Sequence, residues 1–438
     1  ISKTEDPKLK INVSSNNELA FCLGAGKIHT YKEWKGKLIK MRTLDTDEDL
    51  IAFSSGGVNR YCAITSKTTE EHTQANTTNM HLFRGPTGNV QTKSLKIWDE
   101  YQQDILKERP FPTLDYANGE YLFQYYLLMW EAKYNRHLHS GSFRIKMKSD
   151  GSSIEPRTWQ TGHTFGMDAL HNGTDWVSLY VTDADYRLRH PGVFIDKVDK
   201  NEKALLFSSP QRWSEPGQGD ASNGAMSYFY TGLGGIAYDG DAYGAVFINP
   251  KMTVAPKRMP QNVGFVYVKE AFEPISRRKA GETGMIDPTA NILSAGTVDN
   301  VTIYTEKMNT EPRSYKRKVT WLTNYTSMES GYARNADIVA IGDQFIVLWE
   351  KWAKEREVTN RRGEKEPVWG FQGTEAVVID KNGKVLNRKT IKGQMLNDWD
   401  DLHVQSNKIV WATYDDATFY VNRLDANLNH DVKVYNQP

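Results

Sequence analysis

Six His and Asp residues gather in three short stretches of the chain. Arg136-His137-Leu138-His139 sets two imidazoles two residues apart, which on a strand would put both on one face. His163 follows, and the segment Thr182–His190 carries Asp183, Asp185, Tyr186, Arg187 and His190. Imidazole and carboxylate donors of this kind suit a divalent cation, Ca²⁺ or Zn²⁺. Such an ion would lower the pKa of a bound water and polarise a substrate oxygen, the chemistry of a hydrolase or lyase. The plain alternative is a hydrogen-bonded polar rim. No H-E-x-x-H helix or Cys/His knuckle accompanies these residues, and no other cofactor is indicated.

Aromatic residues offer a second chemistry. Trp213, Trp352, Trp369 and Trp399, together with Arg187, lie in or beside segments that read as long loops. Exposed rings stack on sugar rings and on cationic groups. These five are the candidate ligand-binding residues, for a glycan, a peptide or a partner protein. Packing between sheets is the competing role for each Trp.

A third pattern is an acid four or five residues before a turn, at Asp115, Asp168, Asp337 and Asp401. Brought together, such carboxylates would ring a cation. Alternatively each would accept backbone N–H bonds from a neighbouring sheet, since buried carboxylates need partners. Covalent catalysis has little support: there is no G-x-S-x-G elbow and no Gly-rich phosphate loop on a βα unit.

The two cysteines, Cys22 and Cys62, sit in strand-like runs. Oxidised, they would close a loop of roughly 40 residues and stabilise the fold by about 3–4 kcal/mol. Reduced, they would be buried thiols. Five N-x-S/T sequons occur, at Asn12, Asn76, Asn172, Asn300 and Asn324. Bridge and sequons together give the expectation of a secreted, extracellular or periplasmic protein.

The elements that must position these residues repeat. A short strand, a turn with Gly, Asn or Ser, and an alternating strand recur at Ala20–Tyr31, Ile51–Ile64, Asp115–Tyr126, Asp168–Tyr180, Ile236–Phe247, Asp337–Trp349 and Leu402–Trp411. A hairpin follows most of them, most clearly at Ala376–Ile391 around Asn382-Gly383. The result is four antiparallel strands about every 63 residues over a chain of 438. A small twisted sheet covers both its faces only by packing on copies of itself, which radial repetition achieves.

The pattern resembles the β-propeller architecture over nearly the full length and matches no named family. The expected fold is all-β, one propeller domain over 1–438, with seven blades and eight as the alternative. Residues 272–317 read as an insertion in the fifth blade or a degenerate eighth, and Lys8–Val13 as an outer strand lent to the last blade. The strand 2–3 and strand 4–1 connections, Glu131–Gly141 and Glu350–Gly370 among them, are the long ones and share one face, which is therefore expected to carry function.

Composition agrees. Aromatics make up 11% of the chain, with 12 Trp and 22 Tyr, as strands favour. The net charge of +1, from 55 basic and 54 acidic residues, argues against nucleic acid as a partner. The longest apolar run, Tyr121–Trp130, is too short to span a bilayer. The sequence therefore points to a binding or interaction module, with a metal-dependent hydrolase or lyase and a structural extracellular subunit as rivals.

Overall fold

The computed structural model describes residues 8–24, 27–57, 59–67, 78–85, 90–97, 103–105, 112–131, 136–162, 164–182, 192–200, 202–208, 232–249, 260–268, 273–274, 300–305, 313–360 and 362–438. They form seven antiparallel sheets arranged as a β-propeller. The first blade is β1 (Lys8–Val13), β2 (Leu19–Gly24), β3 (Lys27–Trp34) and β4 (Lys37–Asp45). The second is β5 (Asp49–Ser55), β6 (Arg60–Ser66), β7 (Thr78–Arg84) and β8 (Gln91–Ser94). After β9 (Gln103–Ile105), which pairs with the third blade, come β10 (Thr113–Ala117), β11 (Glu120–Glu131), β12 (Arg136–Lys148) and β13 (Thr158–Gly162).

The fourth blade is β14 (Thr164–His171), β15 (Trp176–Thr182), β16 (Gly192–Lys197) and β17 (Glu202–Ser208). The fifth opens with β18 (Gly232–Tyr238), β19 (Tyr243–Asn249) and β20 (Asn262–Val268). The chain then passes through β21 (Glu273–Pro274), which pairs with β17, and β22 (Asn300–Thr305). It returns to the fifth blade as β23 (Arg313–Trp321). The sixth is β24 (Tyr332–Ile341), β25 (Gln344–Thr359), β26 (Lys365–Asp380) and β27 (Val385–Ile391). The seventh is β28 (His403–Gln405), β29 (Lys408–Asp415), β30 (Thr418–Asp425) and β31 (His430–Asn436).

Burial grades across a blade for a geometric reason. The inner strands are covered on both faces by neighbouring blades, so β2 and β15 are buried almost throughout. The outermost strands are not, and β27 is exposed at six of its seven positions. The apolar core lies between blades. Ile51, Ile64 and Met80 of the second blade pack with Phe123, Phe143 and Ile145 of the third. Val246 and Phe265 of the fifth pack with Phe345 and Val347 of the sixth.

Tight turns close the first hairpins. Asn118 and Gly119 both have positive φ, 50° and 83°, as do Ser406 and Asn407 at 50° and 59°. This is the mirror-turn geometry whose twist matches paired strands.

The chain divides into two compact units, Ile1–Thr174 with Asn397–Pro438, and Asp175–Leu396. No helix of the described residues is long and apolar enough to cross a membrane.

Several expectations are corrected. Lys8–Val13 pairs with β2 inside its own blade, and β31 supplies the last blade's fourth strand, so among the described residues no strand is lent across the closure. An eighth blade does not form from the described residues, because β22 and β23 extend the fifth sheet. The supposed loop Glu131–Gly141 is mostly strand, with β11 and β12 separated only by residues 132–135. Glu350–Gly370 is likewise a long hairpin, in which β25 and β26 stay paired from Gln344–Asp380 out to Thr359–Lys365.

The disulfide is also absent: Cys22 and Cys62 are both buried free thiols. Cys22 packs beside Leu50 and Phe53, and Cys62 packs in the core between the second and third blades. Burial pushes both thiols far above their usual range, so the neutral thiol is the form the core holds.

Candidate functional site

A pocket of about 700 Å³ opens in the first unit where the first strands of four blades reach their turns. Its wall comes from Asn12 to Asn17 of the β1–β2 turn, Ser54 and Ser55 at the end of β5, Asp115 to Asn118 of β10, and Val404, Ser406 and Asn407 at the β28–β29 turn. These strands are neighbours because the blades are consecutive: β28, β1, β5, β10 and β14 contact one another in that order.

The polar part of the wall is mostly hydroxyl and amide, set among Val13, Tyr116, Ala117 and Val404, and part of it is cross-braced. Asn12 Oδ1 accepts a hydrogen bond from Ser55 N at 3.0 Å. Asn17 Oδ1 accepts one from Ser406 N at 2.8 Å, and Asn17 Nδ2 donates to Ser406 Oγ. Gln405 Nε2 donates to Asn17 O at 3.1 Å. The first and last blades therefore hold their turns in one fixed arrangement.

Two polar atoms of the wall are left over. Ser54 is 1% exposed and its Oγ has no hydrogen-bond partner among the described residues. Asp115 Oδ2 is buried in the same condition. Asp115 lies three residues before Asn118, about 10 Å along the strand, and so stands at the inner end of the pocket.

Burial first, and then the carboxylates of Asp168, Asp401 and Asp400, hold the Asp115 carboxyl well above the usual carboxylate range. Of the four acids foreseen on the innermost strands, Asp168 and Asp401 thus act on Asp115, with Asp400 added. Their roles divide. Asp400 Oδ2 accepts Ile11 N from the neighbouring blade at 2.5 Å and stands 3.6 Å from His403 Nε2. Asp168 Oδ1 accepts its own neighbour's Ala169 N at 2.7 Å. In the second unit, Asp337 Oδ1 accepts Ile338 N at 2.6 Å. These three bond to backbone as structural acids do, whereas Asp115 keeps an oxygen free. No group of three or more His, Cys, Asp and Glu among the described residues is placed to hold a metal ion.

The other candidates fall as follows. Arg187, Trp213, His163, Asp183, Asp185, His190 and Asn76 lie outside the described residues. His137 and His139 are on β12, opposite Trp130 and Met129 in the register, where the pairing shifts.

Trp352 and Trp369 sit on the stem of the β25–β26 hairpin. Trp352 Nε1 donates to Glu350 Oε2 at 2.9 Å, Arg334 lies over its ring at 5.0 Å, and Phe371 meets it edge-on. Trp369 meets Tyr332 edge-on at 5.7 Å. Trp399, in the first unit, has Lys8 Nζ over its ring at 4.7 Å, and its carbonyl accepts from Lys10 Nζ. These three candidate tryptophans are half-buried with neighbours of their own.

Of the sequons, Asn12 is half-buried in β1, Asn172 caps a turn by accepting Thr174 N at 2.9 Å, and Asn324 is exposed. Asn300 begins β22.

Ser54, Ser55, Asn118 and Asn407 were not foreseen as site residues. Their signal in the sequence is that of turn chemistry, and only their convergence makes it a wall.

No protein-family model matches the chain, and no curated protein matches it. Among solved structures it is similar to the β-propeller domain of the trilobed protease from Pyrococcus furiosus, at 8% identity over 99% of each chain, with a TM-score of 0.43. It is also similar to the hemagglutinin-neuraminidase of parainfluenza virus 5, at 9% identity over 83% of this chain and 88% of that one, TM-score 0.37. A third is an α-L-arabinofuranosidase of Fusarium graminearum in complex with arabinobiose, at 8% identity over 87% and 96%, TM-score 0.35. These likenesses concern the path of the strands and reach no further.

Proposed function

We propose that this protein is a glycan-binding module and that its ligand enters the pocket between the first strands of the first, second, third and seventh blades. The observation that carries the reading is the lining: serine hydroxyls and asparagine amides around about 700 Å³, interleaved with Val13, Ala117 and Val404 and with one aromatic, Tyr116, at the wall. That volume is within the range of about 300–1,000 Å³ typical of small-molecule pockets. Hydroxyl and amide donors and acceptors match the hydroxyls of a sugar, and an aromatic face suits a pyranose ring. A preformed wall costs little ordering on binding.

The site in this reading is at the strand 1–2 turns, the opposite ends of the blades from the long connections. Residues 272–317 are taken as an insertion in the fifth blade, supported by the pairing of β22 with β23. An extracellular or periplasmic setting is part of the proposal, supported by the exposed sequon at Asn324. Secretion from a eukaryotic host should then give a product whose mass falls on endoglycosidase treatment.

A glycan array tests the main claim. The Ala117→Trp variant fills the pocket from a half-buried position and should lose at least about tenfold in affinity for whatever the wild type captures, with its melting temperature unchanged. Equal capture by the variant would remove the pocket from the reading. The metal-dependent alternative rests on His163, Asp183, Asp185 and His190, and elemental analysis of the purified protein tests it separately.

A further inference from the structure

A carboxylate can accept from the hydroxyls of a neutral sugar, but a buried carboxyl whose charged neighbours are acids suits a cation better. Asp115 stands at the inner end of the pocket, with one oxygen buried and unbonded, and Ser54 Oγ, also buried and unbonded, lines the same pocket. An unpaired polar atom in a folded interior is costly, and where it lines an open pocket a bound ligand can satisfy it. The charged groups that act on Asp115 are all acids: Asp168 from β14, and Asp401 and Asp400 from the segment before β28. His403 faces Asp400, while Lys8 and Lys10 are engaged at Trp399. The inner end of the pocket is therefore set for a positive charge, and the rest of its wall for hydroxyls.

We propose that the ligand of this pocket is an amino sugar, whose ammonium pairs with Asp115 Oδ2 and accepts no other acid as its first partner, while Ser54 Oγ and the Asn–Ser wall bind the ring hydroxyls. The inference rests on the glycan-binding reading above and narrows it to one chemical class. A flexible polyamine would meet a wall of amides for most of its length, whereas an amino sugar has one cation among many hydroxyls, in the proportion that the wall presents. Burial and the neighbouring acids raise the Asp115 pKa and seating an ammonium lowers it again, so any proton that Asp115 carries in the free protein is released on binding.

The test uses three β-1,4-linked glucose tetramers that differ only at C2 of the terminal non-reducing residue: the free amine, the N-acetylated amine and the hydroxyl. Isothermal titration with the full-length protein should find the amine at least about tenfold tighter than the other two, as expected for a charge-assisted bond. Titration in two buffers of different ionisation enthalpy should show proton release with the amine alone. Asp115→Asn should erase both the preference and the proton release, and Ser54→Ala should weaken all three tetramers without lowering stability, because its hydroxyl bonds to nothing in the fold.

Equal affinity of the wild type for the three tetramers would overturn this inference and leave glycan binding standing. Binding to none of them, with an array blank for other sugars, would remove both. The tetramer series on the wild type decides the matter even if Asp115→Asn fails to fold.

Discussion

His81 is the residue whose titration the fold should register. It is 4% exposed, with Nε2 at 2.8 Å from Thr65 Oγ1 and Nδ1 at 2.9 Å from Thr92 Oγ1. Glu48 approaches Nε2 to 3.8 Å and is itself held by Asn79 Nδ2 at 2.6 Å. Burial lowers the His81 pKa, outweighing the opposing pull of Glu48, so the imidazole is neutral in the native state near neutral pH. The native pKa lies below the unfolded value of about 6.5. The unfolded chain then binds the extra proton as pH falls through that value, and this contribution, complete above about pH 6.5, is lost toward the lower native pKa. Melting temperatures at pH 7 and pH 5 should fall more for the wild type than for His81→Gln. The variant should cost about 1–3 kcal/mol at pH 7 through its broken hydrogen bonds. Parallel pH curves would refute the assignment. At this scale the sequence singled out Asp115, Asp168, Asp337 and Asp401 by their distance from the turn, a local property; Asp168 and Asp401 act on Asp115, while Asp337 lies in the second unit. The sequence could not tell which of them bonds to backbone and which stays free, because that depends on the neighbouring blade.

At the scale of elements, the junction of the first and last blades is held by packing and side chains rather than a shared strand. Phe21, Tyr31, Val410, Phe419 and Tyr435 form one buried cluster there, with Phe419 edge-on to Phe21 at 5.9 Å and to Tyr31 at 5.4 Å. Glu33 of β3 receives Arg423, Lys433 and Tyr435 from β30 and β31. Asn397 Nδ2 donates to Leu9 O and Ala412 O, both at 2.9 Å. Phe419→Ala should therefore cost about 3–5 kcal/mol in urea unfolding. A loss below about 1 kcal/mol would mean that the junction is held elsewhere. Strand-rich segments and tight turns were legible because alternation and Asn-Gly pairs are local signals, and the turn at Asn382-Gly383 is present, with Gly383 at φ 77°. The long hairpins were misread as loops. Charged residues of β25 beyond Lys354 are largely exposed, and without a buried face a strand leaves no periodic trace in its sequence.

At the scale of the molecule, the last segment completes the first unit. Removing residues 398–438 would take β28–β31 away, strip Ser406 and Asn407 from the pocket, and uncover Leu9, Ile11, Phe21 and Tyr31. Burial of each large apolar side chain is worth about 1.5–3 kcal/mol, so the loss exceeds the few kcal/mol by which domains are usually stable. The truncated chain should be insoluble or should bind a hydrophobic dye as an aggregate, and a monodisperse, cooperatively folding product on size exclusion and melting would contradict this. Seven blades and their approximate limits were legible in the sequence, because each blade is a local run of strands whose alternation and turns are written in consecutive residues, whereas the pairing of β22 with β23 decided against an eighth among the described residues. The free state of Cys22 and Cys62, the seventh blade's use of its own outer strand, and the meeting of Asn12, Ser54, Asp115 and Asn407 in one wall were decided only by tertiary structure. Those facts depend on which faces of separate sheets come into contact, and residues hundreds of positions apart carry no mark of that in their spacing.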